Sequence, residues 1–399
     1  MNIITAFSNH NDTHQLCQDV IATLRKGSAQ YDSEQFNILV VYFNVDHDVH
    51  LIHSALTEAF TCPVIMASSC QGAFAITPTG QHPTANLSVF GIIDPLGHYG
   101  VGYAKVNPAS PDIAAQKAMQ MAVSNSGRPY DAPSLVWTVM PPGQEEALIA
   151  GFSQIIGPNV PVFGGSSADN DVSGNWFQAT CDVVAQDLVL VLVMHPSSAL
   201  GYSYSSGYEP TEVNLVAQNC SARKIGLLNG QNAAHEYNAH TCGSISEALT
   251  GGVVLGNTTL HPLGRPIDSK MGITEYLLSH PDSVTAEGEL CLFSTVAENQ
   301  EFVLMKGSIE GLVKRAAVVA QNALDVLPEG RKPVGILMIY CAGCRLTIGD
   351  DVAAMQQAVL EQIGSIPVVA AYTFGEQGCF FDGKNRHGNL MISAVAFSQ

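Results

Sequence analysis

The chain is short of positive charge. It has 17 Lys and Arg against 35 Asp and Glu, a formal net charge of −18, and no cluster of Lys and Arg dense enough to offset that field locally. Such a chain repels phosphate backbones and anionic lipid, which sets aside nucleic acid and membrane surfaces as partners. Long hydrophobic runs are missing too: the longest, Leu188 to Met194, falls far below the roughly 20 residues of a spanning helix. Met1 to His10 has no basic segment leading into an apolar stretch, as a secretory signal would. The expectation is a cytoplasmic protein.

Catalytic signatures are equally sparse. Neither a P-loop with its lysine nor a clean GxGxxG occurs. Ser166 and Ser167 follow Gly164 and Gly165 but lack the glycine that completes a nucleophile elbow, and Cys70 has no local mark of activation. Acidic residues are thinly spread, so the reading is not an enzyme. A second Cys-x-x-Cys is absent, which leaves Cys341-Ala342-Gly343-Cys344 as half of a zinc site at most, or a redox pair. The remaining cysteines of the ten are irregularly spaced and read as reduced core filler rather than a disulfide framework.

What is present is a repeated unit. Ile38 to Phe43 is an apolar, β-branched and aromatic run, followed by a helix-like stretch from Leu51 to Phe60, then Pro63 to Met66, the turn Ala67 to Gly72, and Leu87 to Ile93. The same order returns with Leu135 to Val139, Glu145 to Ile156, Pro161 to Phe163, the turn Gly164 to Asp169, and Leu188 to Met194. It returns again with Ile336 to Tyr340, Val352 to Ile363, Pro367 to Val369, the turn Phe374 to Gly378, and Leu390 to Phe397. Proline opens the second strand each time because a strand's first residue can spare its N–H. The glycines allow positive φ or close backbone approach in the turns.

Helix-linked strands favour parallel neighbours and the glycine turns antiparallel ones, so the expected class is a mixed α/β fold. At 399 residues the chain exceeds one hydrophobic core, and two pseudo-equivalent halves are expected, residues 1–210 and 211–399, each a mixed sheet system backed by helices. The turn residues Ser68, Ser69, Gly72, Gly164, Gly165, Ser166, Gly375 and Glu376 read either as tight connections or as convergent groups for a small polar ligand.

Thirteen histidines stand out in so uncharged a chain. His47, His50 and His53 have a metal-compatible spacing, though a solvated helix face explains it as well. Residues 232–249 read as a helix, on which Ala233, Tyr237 and His240 share one stripe while His235 points away. His240 is therefore expected to be buried, as a core histidine or as a ligand. His261 ends an apolar stretch near Arg265, a residue able to pair with a propionate.

The phrases Val162 to Asp169 and Tyr372 to Glu376, with Asn229-Gly230 and His261 to Gly264 between them, resemble the FIST domain family, FIST N followed by FIST C. Ser68 to Gly72, and Ser167 to Asn170 followed by Trp176, resemble the nitric-oxide-sensing haemoproteins of the NosP type. That resemblance implies a b-type haem held by a histidine, nitric oxide as the signal, and control of a partner histidine kinase in a biofilm-related cyclic-di-GMP or phosphorelay pathway. The residues offered for the haem are His240, His235 and His261, with Tyr237 and Arg265 beside them. A haem-free sensor that binds an amino acid or other small metabolite between the halves is the alternative, with the Gly/Ser turns and Glu376 as polar anchors. A homodimer is left open.

Overall fold

The computed structural model describes residues 1–31, 35–77, 80–267, 272 and 274–399, of which 80–83 by backbone only. Every residue of the strand Ile38–Phe43 is buried. Ile38, Val40 and Tyr42 face the central core, whereas Leu39, Val41 and Phe43 pack under the helices Thr13–Ser28 and Val49–Ala59. A strand covered on both faces needs no polar alternation, which is why the sequence shows unbroken apolar runs here. Trp137, on the strand Leu135–Met140, also points to the centre, where its indole N–H donates to the Tyr42 hydroxyl at 3.1 Å.

The fold is mixed α/β, as expected, with several mixed sheets backed by helices. Three of these sheets share one order. In the first, Ile38–Phe43 pairs parallel with Val64–Ser68 and antiparallel with Leu87–Ile93, whose far edge holds Asn2–Ser8. In the second, Leu135–Met140 pairs parallel with Val162–Ser166 and antiparallel with Leu188–His195, beside His98–Lys105. In the third, Pro333–Cys341 pairs parallel with Val368–Thr373 and antiparallel with Met391–Ser398, beside Leu200–Ser206.

Each sheet is completed by a strand from another. Gln178–Thr180 joins the first, Glu376–Cys379 the second, and Ala73–Thr77 the third. The two halves expected from the sequence thus exchange strands, because the turns after Ser68, Ser166 and Thr373 lead out of one sheet into the next. Where these turns meet, three backbone bonds close a ring: Ala168 N–H to Ser68 O, Phe374 N–H to Ser166 O, and Cys70 N–H to Tyr372 O. Gly164 is required at this junction. Its φ is +143°, and a Cβ there would stand 1.9 Å from the Thr138 carbonyl oxygen.

Between Leu200–Ser206 and the helix Ile309–Asp325 the chain leaves the core to form a fourth sheet, of nine strands among the described residues, with its own apolar cluster around Tyr237, Ile225 and Phe302. Position 210 falls at the start of its first strand, Glu209–Ser221. The helix expected over 232–249 is shorter, Ala233–His240 followed by a 3-10 turn at Ser246–Ala248, because Cys242 and Gly243 adopt positive φ and end it. Among the described residues no helix is long and apolar enough to cross a membrane.

Candidate functional site

Where the inserted sheet lies against the core there is a cavity of about 710 Å³. Its walls are chiefly apolar and aromatic: Trp176 meets Phe374 edge-on at 6.2 Å, and Phe293, Leu255 and Leu346 close other sides. Phe374 is placed by the third core turn, Trp176 by the loop after Asp169, and Phe293 and Leu255 by the insert. Parts far apart in sequence are needed to form one surface.

Trp176 is positioned by a buried carboxylate. Asp169 Oδ1 accepts the Val172 N–H at 2.6 Å, and Oδ2 accepts those of Gly174 and Asn175 at 2.7 and 2.8 Å. These bonds hold Val172 at φ +61°, a conformation a β-branched residue rarely adopts, and Val172, Ser173 and Gly174 line the cavity. Strain of this kind, of order 1–3 kcal/mol, persists where the surroundings enforce it and is concentrated at ligand sites.

The charged edge of the cavity is an ion-pair latch between core and insert. Glu145, 3% exposed, receives the Ser166 hydroxyl on Oε1, and on Oε2 the Gly143 N–H and the Arg223 guanidinium at 2.9 Å. Arg223 Nη2 also reaches Glu146 at 2.8 Å, and Glu146 Oε1 accepts the Thr295 N–H. Burial works against ionisation of Glu146, but His387, Arg223 and the Thr295 N–H outweigh it and hold the carboxyl down at about 2. Arg223 Nε and Nη1 have no partner among the described residues, so the guanidinium keeps donors for a ligand.

Two further polar residues, His280 and Asn389, belong to the wall. His280 is fully buried, and burial pushes it down to about 4, so it is neutral at physiological pH. Its Nε2–H donates to the Leu255 carbonyl at 3.1 Å, which fixes the tautomer and leaves Nδ1 as an acceptor. Asn389, 2% exposed, accepts the His280 backbone N–H on Oδ1, while its Nδ2 has no hydrogen-bond partner. An unpartnered buried amide donor costs about 1–3 kcal/mol, a cost that a ligand acceptor in the cavity would remove.

Residues 37–231 match the FIST N domain, and residues 233–379 match the FIST C domain. The chain belongs to the FIST family. This is a sensory domain family, generally of signal transduction. No curated protein matches the sequence. Among solved structures, a cyanuric acid hydrolase from A. caulinodans is 8% identical, with 100% of this chain and 98% of that one covered and a TM-score of 0.39. A second structure described as cyanuric acid hydrolase, with evolutionary innovation by structural concatenation, is likewise 8% identical, with 99% and 98% covered and a TM-score of 0.36. Likeness at that level carries no argument about what this FIST chain does.

The FIST chain places the residues offered for haem away from the cavity. His240 is exposed, not buried, and pairs with Glu236 at 3.2 Å on the outer side of its helix. The stripe that buries Ala233 and Tyr237 runs out at the helix's last turn, where no described element covers it. His235 is exposed as well. Tyr237 is buried and donates to the His261 carbonyl at 2.7 Å, which ties the helix to the insert, and Arg265 donates to Ser279 and Ser294. Within the insert only Tyr237 and His261 of this set meet. His47 bonds Thr13 and His53 bonds the Thr180 carbonyl, and the described residues contain no group of three or more metal-ligating side chains.

None of the turn candidates lines the cavity. Ser68 accepts the Phe177 N–H, Ser69 donates to the Gly72 carbonyl, Ser166 is held by Glu145, and Gly72, Gly164, Gly165 and Gly375 shape the junction. Glu376 is buried below it, bonded to the Met391 N–H and to Thr373. Sequence reading missed Glu145, Arg223, His280, Phe293 and Asn389. The only signals were weak ones: an acidic pair opening a helix after Pro142-Gly143, and a histidine closing the run Leu277 to Ser279.

A haem in this cavity would need an axial base and cations for its propionates. Among the described wall residues His280 is the one histidine, with Nδ1 left for an axial bond, but the one cation, Arg223, already faces two carboxylates. The described wall therefore fits haem poorly, because no net positive charge remains for its two propionates.

Proposed function

We propose that this FIST protein is a haem-free sensory module that binds an amino acid or a metabolite of similar size in the cavity between core and insert. The observation that carries the reading is the unpartnered Asn389 Nδ2, held in the wall of a largely apolar cavity of about 710 Å³. That volume lies in the usual range for small-molecule sites, which combine apolar walls with a few fixed polar groups. An acceptor head, such as a carboxylate, takes Asn389 Nδ2 and the spare Arg223 donors. A donor on the same ligand reaches His280 Nδ1, and the apolar body lies against Trp176 and Phe374. Because the ligand touches both sides of the latch, occupancy favours the closed arrangement of core and insert, and that difference is what a partner reads. A sensor histidine kinase is the partner class that the family resemblance implies.

The test is a melting-temperature screen of the purified protein against amino acids and related carboxylates. Binding raises the midpoint with ligand concentration, and Asn389→Ala and Trp176→Ala each remove the shift. A screen without any concentration-dependent shift, or a shift kept in both variants, overturns the reading. Haemin reconstitution is run alongside. A Soret band that is lost in His280→Ala would replace this reading with the haem and nitric oxide one.

A further inference from the structure

Three aromatic rings of the cavity wall stay partly exposed, although the fold buries Trp137, Phe163 and Phe302 completely. Trp176 and Phe374 come from the core and Phe293 from the insert. Trp176 and Phe374 meet edge-on, with centroids 6.2 Å apart and planes at 89°, and Phe293 packs against the His280 ring at 5.8 Å. Core and insert each bring a ring pair to the cavity. Apolar surface that a fold leaves uncovered in a recess marks a place for a binding partner.

The remaining wall groups restrict what that partner can be. The Trp176 indole N–H already donates to the Gln186 carbonyl at 3.0 Å, so Trp176 has a π surface to offer and no donor. Cys341, in the same wall, and its motif partner Cys344 are free and buried, and a buried thiol packs as a small apolar group. Among the described wall residues the one carboxylate, Glu145, is taken up by the Ser166 hydroxyl, the Gly143 N–H and the Arg223 guanidinium. A cationic ligand finds no free counter-charge there. What the wall leaves unpartnered is a donor, Nδ2 of Asn389, a residue only 2% exposed.

We propose that the cavity selects an aromatic carboxylic acid, its ring held between the Trp176 and Phe374 pair of the core and Phe293 of the insert. The proposal rests on the metabolite reading and narrows its ligand. A wall of aliphatic side chains accepts a saturated and an aromatic body alike, because it rewards only the area removed from water. An edge-on ring pair is more selective: it sets a negative ring face beside a positive ring edge, and a third ring answers both, whereas a saturated ring has no quadrupole to answer either. The carboxylate takes the Asn389 amide donor. Because the aromatic sides belong to different parts of the molecule, a ring between them draws core and insert together, and Phe293 is the residue through which the insert reads that ring.

The experiment compares hydrocinnamate with cyclohexanepropionate, which has the same carbon skeleton and the same carboxylate, by calorimetric titration of the full chain. Phenethylamine and choline test the cationic alternative. The expected result is that hydrocinnamate binds about 3- to 10-fold tighter than its saturated counterpart and that neither cation binds. Phe293→Leu, which keeps an apolar side chain, removes most of that preference while both acids still bind. Asn389→Ala weakens both acids alike. Equal or tighter binding of cyclohexanepropionate, tighter binding of either cation, or a preference unchanged in Phe293→Leu would overturn the proposal, and the wild-type comparison stands if the variant does not fold. Binding of acids with no aromatic preference overturns this proposal alone and leaves the metabolite reading in place. A chain that binds no acid and no amino acid overturns both.

Discussion

Two histidine-bearing regions of the insert differ in almost every physical respect. The helix Ala233–His240 presents His235 and His240 to solvent on its outer side, while His280, on the inner side, is fully buried between Leu255 and Asn389. The outer region has the better sequence pattern and the inner one has the cavity. Helical periodicity reports which residues share a face, but it does not report whether another element covers that face. Here Tyr237 and Ala233 take the cover, and the stripe is bare by His240.

The largest expected effect lies at the inner region's latch. Glu145→Ala removes the acceptor of the Ser166 hydroxyl and the Gly143 N–H and half of the support of Arg223, and should destabilise the fold by about 3–5 kcal/mol in denaturant unfolding. A loss below about 1 kcal/mol would mean that core and insert are held together elsewhere.

Next comes the pH response of His280. The folded state holds it neutral down to about 4, whereas the unfolded chain protonates it near 6.5. The unfolded state therefore binds the extra proton, and stability that is complete above pH 6.5 is lost as the pH falls towards 4, by about 3 kcal/mol over that window. His280→Gln should flatten this part of the profile. Glu146 contributes separately and lower down, with stability lost as the pH falls from 4.5 to 2. A wild-type profile with no slope between 6.5 and 4 would break the contrast between a dry inner histidine and wet outer ones.

A third effect is confined to ligand binding. Trp176→Ala should weaken a ligand found in the screen by roughly 10- to 100-fold, as loss of an aromatic anchor does, and ligand titration of intrinsic fluorescence in the wild type reports Trp176 against a fully buried Trp137. The smallest effect belongs to the outer helix. His240→Ala removes an i,i+4 pair with Glu236 on a half-exposed surface, worth about 0.3–0.5 kcal/mol, and should leave ligand affinity unchanged. A large loss of affinity in His240→Ala would restore the outer helix as the sensing element.

Much of the core was legible because its strands are unusual. The runs Ile38 to Phe43, Leu135 to Val139 and Ile336 to Tyr340 are too short and too β-branched or aromatic for helices, and each leads through a helix to a proline-opened partner strand. Their alternation also separates the centre-facing Tyr42 and Trp137 from the helix-facing Phe43 and Val136. The strand exchange was not legible. Whether the chain after Ser68, Ser166 or Thr373 turns back along its own sheet or crosses into the next depends on partners more than a hundred residues away.

The candidate site shows the same division. The sequence by itself determined the mixed α/β class, the local turns with their glycines, the family, and Asp169 and Trp176 as members of a distinctive phrase. Only the tertiary structure decided that Trp176, Phe293 and Phe374 share a wall, that Arg223 closes on Glu145, and that His280 rather than His240 is dry. The reason is range. Backbone propensity and periodicity act over a few residues, so they are written locally, whereas burial and electrostatic pairing are properties of surfaces that three separate stretches of the chain complete only when they meet.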